Sequence, residues 1–257
     1  SMKNTKPFFT IVIPTLNEEH YVPHILSDLA AQTSNNFEVI VVDGTSQDAT
    51  VKKVEQFASL LPLTILLSKK RNLSFQRNLG ASAARGTYLV FIDADSRIPK
   101  NFLQTLYKVL KKRKYLLALP YIDFDESSAS YLHPFVGLIN ASIDASQMLP
   151  RPLVTGGLMI IERNFYQHLG GFAVKKILDK KMYFPEDLDL LIRAKKIGVV
   201  AKKLAQPSYI FSTRRFKQEG TLSVVLKYFM SSIDFTNGNI TAHVPYEMGG
   251  HVYKKQT

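Results

Sequence analysis

The sequence predicts an α/β fold: a mostly parallel central sheet flanked by helices, in a single continuous domain. Short apolar runs rich in β-branched and aromatic residues recur along the first part of the chain. Runs this hydrophobic suit strands covered on both faces. Between them lie segments whose apolar residues fall at helical spacing, the alternation that builds parallel sheets. Several runs also end on acidic or hydroxyl side chains, and in open α/β sheets ligands bind beyond the carboxyl ends of strands.

The elements follow in order. "FFTIVIPT" (8–15) is the first strand. In "EEHYVPHILSDLAAQ" the residues Val22, Ile25, Leu26 and Leu29 make a helical stripe, with Pro23 near its start. "FEVIVVDG" (37–44) is the second strand, "DATVKKVEQFASLL" a helix and "LTILLSK" the third strand. "FQRNLGASAAR" is a helix leading into a fourth strand, "TYLVFIDA", and a further helix covers about 100–113. Beyond it the pattern loosens: "LLALPYIDF" reads as a strand, "VTGGLMIIER" as a Gly-Gly turn running into another, and "PEDLDLLIRAKKIG" as a short helix. The tail "TLSVVLKYFMSSIDF" places Leu222, Val225, Leu226, Phe229 and Ile233 at helical spacing, which fits core packing or docking on a membrane surface. No linker, low-complexity tract or repeat interrupts the chain, so two functional halves of one fold are expected, 8–114 and 115–216, followed by a helical tail, 217–257.

Composition narrows the classes. At 257 residues, 46% hydrophobic and 21% charged, the chain can bury a large core, and no apolar stretch has the length of a membrane span. The absence of cysteine excludes disulfides, thiolate metal sites and cysteine nucleophiles. Ser1 ahead of Met2 reads as a cloning remnant, and with no secretory leader recognised the expected compartment is the cytoplasm. The net charge of +12 favours anionic partners, such as phosphorylated substrates or the inner face of an anionic membrane, or simply solubility.

Chemistry concentrates at the strand ends. Asp93 and Asp95 close the fourth strand, and a divalent cation often takes one or two protein carboxylates while substrate phosphates fill its shell. The alternative is a helix start, for which Ser96 and Pro99 are suited. Asp43 closes the second strand and can accept a hydrogen bond from a base or ribose, while Asp48 reads as a helix cap. Thr15 and Asn17 should share that edge. No Gly-x-Gly-x-x-Gly or Walker loop follows any strand, which disfavours dinucleotide dehydrogenases and P-loop NTPases. In "PEDLDLLIRAKKIG", Leu188, Leu191 and Ile192 form the core stripe and Asp189 can pair with Arg193. Asp187 borders the stripe, where the helix N-terminus would keep it ionised for use as a general base. Paired guanidinium groups at Arg214 and Arg215 suit phosphate oxygens. The six histidines lack metal-ligand spacing, although His243 or His251 could enter a site.

The ordered set "IPTLNEE", "VIVVDGTSQDAT", "RNLGASAARGTYLVFIDAD", "TGGLMIIERNFYQHLGGF" and "PEDLDLLIRAKKIG" resembles the family 2 glycosyltransferases of GT-A fold, over about residues 8–216. "DADSRIP" and "STRRF" are similar to a bacterial subgroup of family 2-like enzymes. The resemblance implies a metal-dependent, inverting transfer of one sugar from a nucleoside-diphosphate sugar, a UDP-sugar or GDP-sugar, to a hydroxyl acceptor. It implies that Pro14, Thr15, Asn17 and Glu18 line the nucleotide, that Asp43 contacts the base and that Arg77 approaches the nucleotide or its phosphates. Asp93 would support the ribose or the metal, and Asp95 would hold Mg²⁺ or Mn²⁺. Gly156 and Gly157 would let the backbone approach the sugar. The Glu186-Asp187 pair would match the acidic motif, with Asp187 as base, and Arg214 or Arg215 would steady the leaving diphosphate. Ser96 and Arg97 depart from the Asp-Ala-Asp-Leu-Gln of polyprenyl-phosphate sugar synthases, and the processive Gln-x-x-Arg-Trp signature is missing, so single-sugar transfer is favoured.

Three rival readings fit less well. A sugar-phosphate nucleotidyltransferase uses a Gly-rich loop after its first strand, and "PTLNEEHY" has no glycine. A non-catalytic sugar-nucleotide or anionic-glycan binding protein of the same fold has no need of both Asp95 and Asp187. Nucleic-acid binding would account for the charge but not for the ordered acidic motifs.

Overall fold

The computed structural model describes residues 6–124, 133–154, 156–174 and 185–212. In chain order the elements are β1 (Phe9–Thr15), α1 (Val22–Ala30), β2 (Phe37–Asp43), α2 (Thr50–Glu55), β3 (Leu63–Leu67), α3 (Leu73–Ala83) and β4 (Tyr88–Ile92). There follow α4 (Phe102–Arg113), β5 (Leu117–Asp123), α5 (His133–Ser146), β6 (Leu158–Glu162), α6 (Arg163–His168), α7 (Glu186–Lys196) and β7 (Lys202–Ile210). The strands form one seven-stranded sheet in the order β3-β2-β1-β4-β6-β5-β7. All pairings are parallel except those of β6, which runs antiparallel to β4 and β5.

Every residue of β1, β2 and β4 is buried, as two-sided coverage requires. Alternate side chains divide between two cores, because successive residues of a strand point to opposite faces. On one face Phe9, Ile11, Ile13, Val39, Val41, Val90 and Ile92 meet the stripes of α1 and α4. On the other, Val12, Ile40, Val42, Leu89 and Phe91 meet α3, α6 and α7. Burying a side chain of this kind stabilises by roughly 1.5–3 kcal/mol, so the two layers together hold the sheet. Gly80 sets how closely α3 approaches it: a Cβ there would lie 2.5 Å from Val12 Cγ1.

Several expectations need adjusting. The helix after Asp48 spans only Thr50–Glu55 and is followed by turns. The "DSRIP" stretch does not start α4, whose first turn lies behind Asn101; Ser96 is buried in the turn, with its amide on the Asp93 carbonyl. On α7 it is Leu190, with Leu188 and Leu191, that is fully buried, while Ile192 is half-buried. Helices α5 and α6 and strand β7 were not anticipated. Arg214, Arg215, His243, His251 and the segment 217–257 lie outside the described residues. Among the described residues no helix is long and apolar enough to cross a membrane.

Candidate active site

Parallel register places Thr15 beside Asp43 at the carboxyl ends of β1 and β2. The Asp43 carboxylate, 1% exposed, accepts from Thr15 Oγ1 at 3.1 Å, the Ser46 amide at 2.8 Å and Ser46 Oγ at 2.5 Å. The two strand-end loops are knitted further. The Asn17 amide donates to Ser46 Oγ at 2.8 Å and its Oδ1 accepts from the Gln47 amide at 2.7 Å. Asn17 has φ of 54°, a left-handed conformation that Asn tolerates better than most residues. The buried Glu18 donates its amide to Thr50 Oγ1, and Asp48 accepts from the Thr50 amide at the start of α2. Pro14 lies buried in β1 opposite Val42. The five predicted residues Pro14, Thr15, Asn17, Glu18 and Asp43 therefore gather at one edge. Gln76, which sequence reading passed over, completes it: its fully buried Nε2 donates to the carbonyls of Thr15 at 2.9 Å and Val42 at 2.8 Å.

The second cluster forms where β4 ends. The Asp93 amide donates to the Gly157 carbonyl at 3.0 Å, attaching the Gly-Gly loop to the strand end. Arg77, reaching up from α3, donates from its guanidinium to Asp93 Oδ1 at 2.9 Å, Glu186 Oε1 at 2.7 Å and the Gly156 carbonyl at 3.3 Å. Its side chain is 3% exposed and sits 5.3 Å from the Phe172 ring centroid. Gly156 has φ of 74°, and a Cβ there would lie 3.1 Å from Asp187 Oδ2, so both conformation and space call for glycine. At Gly157 a Cβ would stand 3.0 Å from the Tyr209 hydroxyl oxygen. The turn carrying Asp95 is held from outside. Arg97 grips Asp28 of α1 at 2.6 and 2.7 Å, and its backbone exchanges hydrogen bonds with Ile210 at the end of β7.

Electrostatics at the start of α7 are decided by burial. Desolvation pushes Glu186 up to about 7; the Arg77 charge opposes the rise, while Asp187 and Asp93 add to it. Asp187 is also raised by burial, against Arg77 and the Leu188 amide, which donates to its Oδ1 at 2.8 Å. Helix-end amides alone were expected to keep Asp187 ionised; burial outweighs them, and a carboxylate of raised pKa is the stronger base. Farther along α7, Asp189 pairs with Arg193 at 2.8 Å as its spacing predicts.

Among the described residues no group of three or more His, Cys, Asp or Glu side chains is placed to hold a metal by itself. Asp93 and Asp95 supply hard oxygen donors at a strand end, and the Asp93 side chain is 37% exposed. Such a set fits Mg²⁺ or Mn²⁺ with ligand oxygens completing the shell. The arrangement thus offers a polar edge at the ends of β1 and β2, the carboxylates of Asp93 and Asp95 at the end of β4, and a buried acidic pair at the start of α7.

Comparison with known proteins bears on the family and the fold. Residues 10–170 match the family model described as glycosyl transferase family 2. The amylovoran biosynthesis glycosyltransferase AmsB of Erwinia amylovora is 27% identical over 266 residues, covering 93% of this chain and 80% of that protein. Glycosyltransferase GlyA of Streptococcus pneumoniae is 28% identical over 130 residues, 50% of this chain and 19% of its own length, so the chain spans only about a fifth of that relative. An uncharacterized glycosyltransferase of Haemophilus influenzae is matched over 62% of its length at 23% identity. Among solved structures, the mannosyltransferase PcManGT of Pyrobaculum calidifontis, in complex with GDP-Man and Mn²⁺, superposes with a TM-score of 0.66 at 20% identity, over 90% of this chain and 65% of that one. S. aureus TarS 1-349 in complex with UDP-GlcNAc gives 0.60 at 19% identity, over 79% and 58%. These likenesses show a common fold, the GT-A fold.

Proposed function

The chain belongs to glycosyl transferase family 2, and from that premise we propose that it transfers one sugar from a nucleoside-diphosphate sugar to a hydroxyl acceptor, with inversion. The observation that carries the reading is the convergence of Asp93 with Glu186 and Asp187 about the Arg77 guanidinium, beside the edge formed by Thr15 and Asp43. UDP-sugars and GDP-sugars are the donors to try first, since TarS was solved with UDP-GlcNAc and PcManGT with GDP-Man.

In this reading the segment 8–114 binds the donor and the segment 115–216 supplies the acceptor side and the base. Pro14, Thr15, Asn17, Glu18 and Asp43 line the nucleotide. The Asp43 carboxylate, already held by Thr15 and Ser46, offers its remaining acceptor capacity to the base. Asp95 and Asp93 would hold Mg²⁺ or Mn²⁺ against the diphosphate, and the cation when bound offsets charge on the leaving oxygen. Gly156 and Gly157 let the sugar approach the backbone. Asp187 accepts the acceptor's hydroxyl proton while that oxygen bonds to the anomeric carbon. The bond from that carbon to the β-phosphate oxygen breaks, its electron pair leaves with the nucleoside diphosphate, and a single displacement inverts the centre. Arg214 or Arg215 steadies the departing diphosphate, where charge develops.

The test is a thermal-shift screen of UDP-, GDP-, CDP- and dTDP-sugars with and without Mn²⁺. One nucleotide should raise the melting temperature of the wild type in a metal-dependent way, and Asp95→Ala should abolish the shift. No shift with any of them would favour a protein that does not bind sugar nucleotides.

A further inference from the structure

We infer that Arg77 is a positioning residue of the transfer step, holding the acidic start of α7 against the carboxyl end of β4 and acting through Glu186 rather than on the nucleotide. This rests on the reading of Asp187 as the base. Arg77 belongs to α3, yet its side chain joins elements far apart in the chain, pairing with Asp93 just past β4 and with Glu186 at the start of α7. The third contact, to the Gly156 carbonyl, fixes the loop whose missing Cβ leaves room for Asp187 Oδ2. One planar fork therefore ties two carboxylates and one backbone carbonyl together around the proposed base. A lysine, a point charge on a flexible stem, cannot hold two carboxylates at a fixed separation in this way.

The partners of the guanidinium point the same way. Both terminal nitrogens are engaged by carboxylates and its face lies toward Phe172, so its charge is already matched within the protein. Glu186 precedes Asp187 directly, so rotation of the first turn of α7 on losing Arg77 would move the Asp187 carboxylate. Displacement of a reacting group by about 1 Å costs on the order of a hundredfold in rate.

The experiment is a double-mutant cycle on the full chain with Arg77→Gln, Glu186→Gln and the pair together, with Arg77→Lys and Asp187→Asn alongside. Binding of UDP and GDP in the presence of Mn²⁺ is measured by calorimetry. The kcat and donor KM for nucleoside diphosphate release are measured with UDP-GlcNAc and GDP-mannose. Arg77→Gln should lower kcat by about 30- to 100-fold while leaving donor KM and nucleotide affinity within about threefold. Arg77→Lys should not restore kcat, and Arg77→Gln should cost little more once Glu186 is already Gln.

A tenfold loss of Mn²⁺-dependent UDP or GDP affinity with kcat retained, or an undiminished effect of Arg77→Gln in the Glu186→Gln background, would overturn the inference. If Arg77→Gln does not fold, the double variant, which lacks the buried charge, is compared with Glu186→Gln alone. Equal kcat then supports the inference and a further loss overturns it. If neither donor is turned over, nucleotide affinity decides: variants at Arg77 that bind UDP and GDP as the wild type does support it, and weakened binding overturns it. Turnover retained by Asp187→Asn sinks the base assignment and this inference with it but leaves the transferase reading standing, while a wild type that binds none of UDP, GDP, CDP and dTDP sinks the transferase reading and this inference together.

Discussion

Glu186 and Asp187 are the two carboxyls whose burial most changes their chemistry. Glu186 ordinarily titrates near 4.5 and is pushed up to about 7 here, so between these values the folded chain holds a proton that the unfolded chain has lost. Its contribution to stability is therefore complete below about 4.5 and is lost as pH rises through about 7. Glu186→Gln should flatten that decline, as read from urea unfolding midpoints across pH 4 to 8. Asp187, raised in the same direction, should give kcat/KM an acid limb above the usual aspartate range. Asp187→Asn should lower turnover by about 10²- to 10⁴-fold with nucleotide affinity kept, as single-turnover and binding measurements would show. The acids at a helix start made Asp187 a candidate base, but that burial dominates its ionisation was not readable, because residues around it such as Arg77 and Gly156 are distant in the chain.

Element packing explains what sequence pattern could and could not tell. β1, β2 and β4 are two-sided and read as unbroken apolar runs, so their positions were legible. β7 was not. Its sequence, KKLAQPSYI, mixes lysines, Gln206 and Pro207 with few apolar residues, since a strand at the margin of the described sheet tolerates proline, and even Lys203 and Pro207 are buried there. α5 carries Gly137, Asn140 and Asp144 within its span, and Asn140 serves the sheet: its amide pairs with the N–H and C=O of Ile122 at 3.0 and 2.8 Å. A polar residue used in this way breaks the apolar stripe that reveals a helix. The orientation of β6 was equally hidden, since its run of buried residues is the same in either direction. At α3, Gly80→Ala sets two effects against each other. Alanine gains about 1 kcal/mol in helix propensity, but overpacking a core costs about 1–3 kcal/mol, and here the obstruction is Val12 in a fully buried strand at 2.5 Å. Crowding should win, lowering the urea midpoint without changing the slope.

For the whole molecule, the formal charge of +12 makes ionic strength a probe of what it binds. An anionic nucleotide should lose affinity several-fold between about 0.05 and 0.5 M salt, through screening of the attraction, and calorimetry at the two concentrations would measure it. A salt-independent affinity would mean that local contacts alone hold the ligand. The general plan of the molecule, a helix-flanked sheet with acidic and hydroxyl side chains at its strand ends, was open to sequence reading because hydrophobic periodicity and acidic termini are local signals. The cross-links that complete the site, at Arg77, Gln76 and Arg97, were not, since each joins residues that only the fold makes neighbours. One of these has a consequence in time. The turn bearing Asp95 is latched by Ile210, so on a ribosome adding about 5–20 residues per second the acidic turn emerges well before the strand that fastens it. Until residue 210 is free of the ribosome, a nascent chain has its carboxylates but not their final setting, and the site matures with its latch.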